Sequence, residues 1–273
     1  MMPILLQLLP AALYALLAVH FFRSRWLKPD LQSMQGLQPW ERSALALALV
    51  VHAWVLREQI FPAEAMHFGF GSALSVMCWL ALVFYWIESF NARLEGLQSL
   101  ALPLAAGASA LPAFWPAQHI VQNASNIAFR LHFLLAMLAY SLFTLAALHA
   151  VLMSIAERRL HSARLTRSLI ALPPLLTMET LLFRLVLIAF VLLTLTLGSG
   201  IVFSEELFGR ALPFNHKTIF AFLSWLIFGI LLLGRRFRGW RGRVALRWTM
   251  GGFIVLLLAY VGTRFVLDLL GRS

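Results

Sequence analysis

Two histidines of this 273-residue chain stand inside apolar stretches, where an ionisable side chain is expensive and counts as a functional candidate. His52 lies in VVHAWVLREQIF and His132 in RLHFLLAML. His52 is about twelve residues from one end of its apolar run and some eight from the other; His132 is about five residues into its own. At 1.5 Å rise per residue, both sit roughly 8–12 Å below the same surface. Arg57 follows His52 toward that surface and Arg130 precedes His132. Arg264 points to the same side, with Asp268 one turn later. Imidazole is a common axial ligand of haem iron, and arginine makes charge-assisted, often bidentate bonds to carboxylates. The set would suit a flat, apolar, iron-containing ring with two carboxylates. The plainer reading is that each histidine bonds a neighbouring helix and each arginine snorkels to headgroups. Spacing alone leaves both open.

Little else in the sequence carries chemistry. HxxxH, HExxH, GxGxxG and the Walker A pattern are missing. One cysteine, Cys78, cannot make an internal disulfide, a CxxC redox pair or a CxxCH haem attachment site. His20, His67, His119, His149, His161 and His216 fall at run ends or in loops. Gly198–Ser199–Gly200 and Gly251–Gly252 read as close helix contacts rather than phosphate cradles. No catalytic constellation emerges, so the chain is not expected to be an enzyme in its own right.

The elements that must position these residues follow from composition. The chain is 61% hydrophobic and 12% charged, with a mean hydropathy of +0.84. Soluble domains run nearer ~25% charged, so a soluble globular enzyme is excluded. Eight apolar segments, roughly 3–22, 40–55, 68–87, 97–114, 127–154, 181–203, 217–233 and 244–267, are each about long enough to cross a bilayer. The fourth is interrupted by Pro103, Gly107 and Pro112. The expected fold is an all-α, polytopic membrane helix bundle of about eight spans, forming a single domain over residues 1–273. A net charge of +11 would suggest nucleic acid in a soluble protein. Here it reflects loop bias: fifteen Lys and Arg lie in the loops after spans 1, 3, 5 and 7, and six on the opposite side. The positive-inside rule then puts those loops in the cytoplasm and both termini outside. The densest basic run, GRRFRGWRGR, reads as a topology anchor near anionic lipid. The stretch RLHSARLTRSLIALPP reads as an amphipathic helix in the headgroup region.

The second half carries a resemblance. Residues 173–200 (PPLLTMETLLFRLVLIAFVLLTLTLGSG), 216–243 (HKTIFAFLSWLIFGILLLGRRFRGWRGR) and 252–267 (GFIVLLLAYVGTRFVL) resemble the cytochrome c assembly protein family, most closely its small bacterial inner-membrane branch. The likeness continues through 130–148 and, more loosely, to about Val50; it is strongest over 130–267. It implies a haem-handling membrane protein of cytochrome c biogenesis, holding haem b in an outer-leaflet cavity. His132 matches a haem-ligating histidine of the family, and His52 corresponds more loosely to one within a span. Arg57, Arg130 and Arg264 would then serve the propionates. Lys217, Trp225, Gly239, Trp240, Arg241 and Gly242 match family positions that read as scaffold. The family's tryptophan-rich WWD segment is not recognisable in SEELFGRALPFNHK, and two further family histidines are missing from VLDLLGRS and ILLLGRR. Those departures favour the alternative, a non-catalytic partner or regulator of a transporter or of haem synthesis that keeps the fold without haem. The implied partners are the bilayer, haem, and other assembly proteins or a transporter, with no nucleic acid.

Overall fold

A computed structural model describes residues 3–27, 36–62, 66–91, 96–116, 121, 126–161, 173–208 and 216–259. Among them are nine α-helices and no strand: α1 (Ile4–Gln7), α2 (Leu9–Phe22), α3 (Pro39–Ile60), α4 (Phe70–Glu88), α5 (Gln98–Phe114), α6 (Ile127–His161), α7 (Leu175–Phe208), α8 (His216–Arg238) and α9 (Arg243–Leu257). Among the described residues, all eight apolar segments read from the sequence are largely helical; 260–267 of the eighth lie outside them. Five of the helices are long and apolar enough to cross a membrane: α3, α4, α6, α7 and α8. The architecture is an all-α membrane helix bundle.

The helices form two rings of four. In one, α2 packs on α3 and α5, and α4 on α3 and α5; in the other, α6 packs on α7 and α9, and α8 on α7 and α9. The rings join where α4 and α5 meet α6. α6 has 35 residues and α7 has 34, so each is ~50 Å long and overshoots a ~30 Å hydrocarbon core. Their contact is the most extensive in the molecule. It is close because α6 presents small, fully buried Ala139, Ala146 and Ala150 at helical spacing. α8 shows the two-faced pattern plainly. Ser224, Phe228, Leu231 and Gly234 are buried, whereas Ile219, Leu223, Leu226, Ile230 and Leu233 form an exposed apolar stripe at i, i+3, i+4 spacing that suits lipid. Phe228 stacks on Phe143 of α6 with centroids 3.9 Å apart, both rings fully buried.

Local signals set the helix ends. Pro39 opens α3, and Glu41 in its first turn accepts the Gln38 backbone N–H at 2.8 Å. Asn126 Oδ1 accepts the N–H groups of Ala128 and Phe129 and so caps α6. The prolines of α5 do not break it. Pro112 lies where Gly71 lets α4 approach, since a Cβ on Gly71 would sit 3.2 Å from its nitrogen. The turn between α8 and α9 uses Gly239 (φ +63°) and Gly242 (φ +56°), which favour glycine. The Trp240 ring folds back onto Gly234 and lies 5.2 Å from the Trp248 ring. Glu179 of α7 accepts from Arg235 and, at 3.4 Å, from the Gly242 N–H. The basic run is therefore clamped to α7 through a buried acid. The expected amphipathic helix falls mainly on 162–172, outside the described residues.

Candidate functional site

The helix caps fix where the site histidines sit. Asn126 anchors the start of α6, so His132 lies ~9 Å along the axis from that end. Its ring is half-buried and faces the Gly198–Ser199–Gly200 stretch of α7. His132 Nδ1 is 3.1 Å from Ser199 Oγ. Ser199 Oγ in turn donates to the Thr196 carbonyl at 3.0 Å. A hydroxyl has a single proton. When that proton sits on the Thr196 carbonyl, Ser199 accepts from His132, which then holds its ring proton on Nδ1; His132 also bonds the Thr196 backbone directly. In a neutral imidazole the lone pair then resides on Nε2. Gly200 lets the ring approach, because a Cβ there would lie 3.1 Å from His132 Cε1. Ser199 and Gly200, from the stretch expected to be a close helix contact, are thus part of the histidine's seat, whereas Gly198 has nothing within 4 Å of where its Cβ would be.

His52 is held differently. It is 1% exposed. Its Nδ1 is 3.1 Å from the Tyr14 hydroxyl of α2, and its Nε2 is 2.9 Å from Ser75 Oγ of α4. Both ring nitrogens are therefore engaged, and the histidine ties α3 to its two neighbours. His52 and His132 do not face one another. α4 lies between α3 and α6, and the ends of those helices meet in an apolar cluster of Leu56, Ile60, Phe68 and Met137, with Phe129 and Phe133 against it.

Arg57 and Arg130 are not gathered around either ring. Arg57 pairs with adjacent Glu58 at 3.1 Å and is 76% exposed. Arg130 is exposed in the first turn of α6; two positions from His132, it leaves the helix on another face. Arg264 lies outside the described residues. A cavity of about 370 Å³ opens between the two rings, with Leu74, Cys78, Gly107, Thr144, Val151 and Phe253 in its wall, but no histidine lines it. Among the described residues, no three His, Cys, Asp or Glu side chains cluster as metal ligands.

Other buried polar groups were not visible as partners in the sequence. Glu41, 2% exposed, binds His20 at 2.9 Å and the buried Arg25 at 2.8 Å. His149, deep between α6 and α7, donates from Nε2 to the Met178 carbonyl at 2.9 Å. Of the residues read as scaffold, Trp225 donates to Thr194 Oγ1 at 2.9 Å and stacks on Phe190.

Comparison with known proteins gives a consistent picture. A family described as "Cytochrome C assembly protein" matches residues 40–270. The chain is 29% identical over 239 residues to "Inner membrane protein YpjD" of Escherichia coli K12, covering 85% of this chain and 89% of that protein. It is 30% identical over 271 residues to an uncharacterized 28.8 kDa protein of Azospirillum brasilense, covering 97% and 95%. A segment of 89 residues is 38% identical to "Cytochrome c biogenesis protein CcsA" of Prochlorococcus marinus MIT 9515, covering 33% of this chain and 28% of that protein. No solved structure matches.

Proposed function

Given that this chain belongs to the cytochrome c assembly protein family, we propose that it is a multi-pass inner-membrane protein that binds haem for cytochrome c biogenesis through His132. The relative named as an inner membrane protein supports the location, and the one named for cytochrome c biogenesis supports the pathway. The observation that carries the reading is the Thr196–Ser199–His132 relay. It favours the tautomer whose Nε2 can coordinate a metal. Ligating histidines are characteristically fixed in this way by a bond to the other nitrogen. Haem, when bound, would supply the redox chemistry; the protein supplies ligation and orientation.

Both ring nitrogens of His52 are spent on buried hydrogen bonds, so coordination there would break one of them, which favours His132 for the role. We therefore take His52 as a packing residue and His132 as the protein's axial ligand. Arg130, at the same end of α6, Arg264 and Arg57, which now pairs with Glu58, would serve the propionates. The absorbance spectrum of protein purified from haem-replete cells tests the reading. A Soret band of a histidine-ligated b-type haem is expected. Colourless protein would favour a membrane partner or regulator without haem, a reading supported by the two histidines' failure to share a cavity.

A further inference from the structure

The end of the bundle opposite His132 holds a second cavity, of about 310 Å³, between α6 and α9. Ser154, Glu157 and Arg158 line it from α6; Arg243, Leu246 and Arg247 line it from α9. Both triplets follow i, i+3, i+4 spacing, so each helix offers one face to the same space. Three guanidinium groups meet one carboxylate. Arg243 Nε lies 2.8 Å from Glu157 Oε1, which neutralises one charge. Arg158 and Arg247 have no acidic partner among the described residues, and both are exposed. The floor offers no counter-charge to balance them: Leu246 is buried apolar surface, and the Ser154 hydroxyl, which donates to the Ala150 carbonyl, is neutral. The cavity thus has an apolar floor and a mouth with two uncompensated positive charges.

The surface beyond the mouth narrows what would fill it. Arg247, Gly251, Ile254 and Leu258 follow one another at i, i+4, i+7 and i+11, along a single face of α9. Ile254 and Leu258 are about half exposed. Gly251 is exposed, and nothing lies within 4 Å of where its Cβ would be. A smooth apolar track therefore leads away from the cationic cavity along a helix of the membrane bundle. A free phosphate compound would use the arginines but not the track. We infer that this is a site for an anionic phospholipid, with the phosphate between Arg158 and Arg247 and an acyl chain along Gly251, Ile254 and Leu258. A zwitterionic lipid brings its own ammonium group and would leave the two charges less well matched.

The test uses the full chain in phosphatidylcholine nanodiscs, titrated with phosphatidylglycerol, with bound lipid counted by native mass spectrometry. An arginine held against the bound lipid phosphate contributes about five-fold to anionic lipid affinity. Arg158→Gln with Arg247→Gln should therefore weaken phosphatidylglycerol binding ~30-fold. Arg238→Gln, exposed at the same end but outside the cavity, should change it less than two-fold. Gly251→Leu, which leaves the charges intact, should weaken it by obstructing the track. Because the arginines are exposed, the double variant should keep the helical circular dichroism of the parent; Arg158→Lys with Arg247→Lys should keep most of the affinity. The site assignment is overturned if the double variant binds like the parent, or if Arg238→Gln is equally damaging. It is also overturned if phosphatidylcholine is retained as well as phosphatidylglycerol. Competition by millimolar inorganic phosphate, with Gly251→Leu indifferent, would overturn a lipid in favour of a soluble phosphate compound.

Discussion

Replacing Glu41 with glutamine should be among the most destabilising single changes in the chain. Glu41 and Arg25 are 2% and 4% exposed. One carboxylate oxygen receives His20 at 2.9 Å; the other receives Arg25 and the Gln38 N–H, both at 2.8 Å. Arg25 has few other resources. It reaches the Gly36 carbonyl at 3.1 Å, and its Nε has no hydrogen-bond partner among the described residues. Glutamine keeps the shape but removes the charge and turns an N–H₂ toward donors. Breaking a buried pair by removing one partner costs about 3–5 kcal/mol, because the remaining charge is left uncompensated. The Arg57–Glu58 pair is an internal control. Its partners are 76% and 43% exposed, so Glu58→Gln should cost about 0–1 kcal/mol. At roughly 2–4 °C per kcal/mol, thermal unfolding in a mild detergent should fall on the order of 10 °C for Glu41→Gln and only marginally for Glu58→Gln. Arg25→Met together with Glu41→Leu should recover much of the loss, since apolar replacement of a buried pair is often neutral. Equal shifts for Glu41→Gln and Glu58→Gln would refute the reasoning.

Other perturbations test the rest of the frame. Gly234→Ala would place a Cβ 2.4 Å from the Trp240 ring; it should cost about 1–3 kcal/mol, read as a lower thermal midpoint, whereas Gly198→Ala, with open space around it, should not disturb packing. Phe228→Ala removes a fully buried ring stacked on Phe143 and should cost about 3–5 kcal/mol in the same assay. A reporter fused after Ser273 should behave as periplasmic, as the bias in Lys and Arg requires; a cytoplasmic signal would mean an odd number of spans.

Much of the frame could be read from the sequence because membrane helices announce themselves. Each needs a run of apolar residues, and within the runs small residues mark close contacts. Gly200 of the GSG stretch and the turn at Gly239 and Gly242 are packing and turn positions, as their residue types imply, whereas Gly198 has open space around it. α7 is longer than expected at both ends: polar residues such as Thr177, Glu179 and Thr180 are tolerated there because a helix outside the hydrocarbon still satisfies its own backbone. The site was only half legible. Depth along a helix follows from counting residues, and it put His52 and His132 at one level. Direction around the axis depends on which neighbours pack where. Tyr14 and Ser75, 38 and 23 residues from His52, were not predictable as its partners. The same holds for Ser199, 67 residues from His132. The acids that hold the basic run, Glu179 and Glu157, are likewise distant in sequence.

The central claim is that His132, held through Ser199, offers Nε2 to haem iron. The most direct measurement is the haem content and absorbance spectrum of purified His132→Ala beside the parent, before and after adding imidazole. The variant should accumulate normally, lose its haem, and regain part of the parent spectrum when imidazole takes the place of the missing side chain. His52→Ala should leave the spectrum of whatever protein remains folded unchanged. Wild-type haem stoichiometry and spectrum in His132→Ala, or a parent protein without haem, would contradict it.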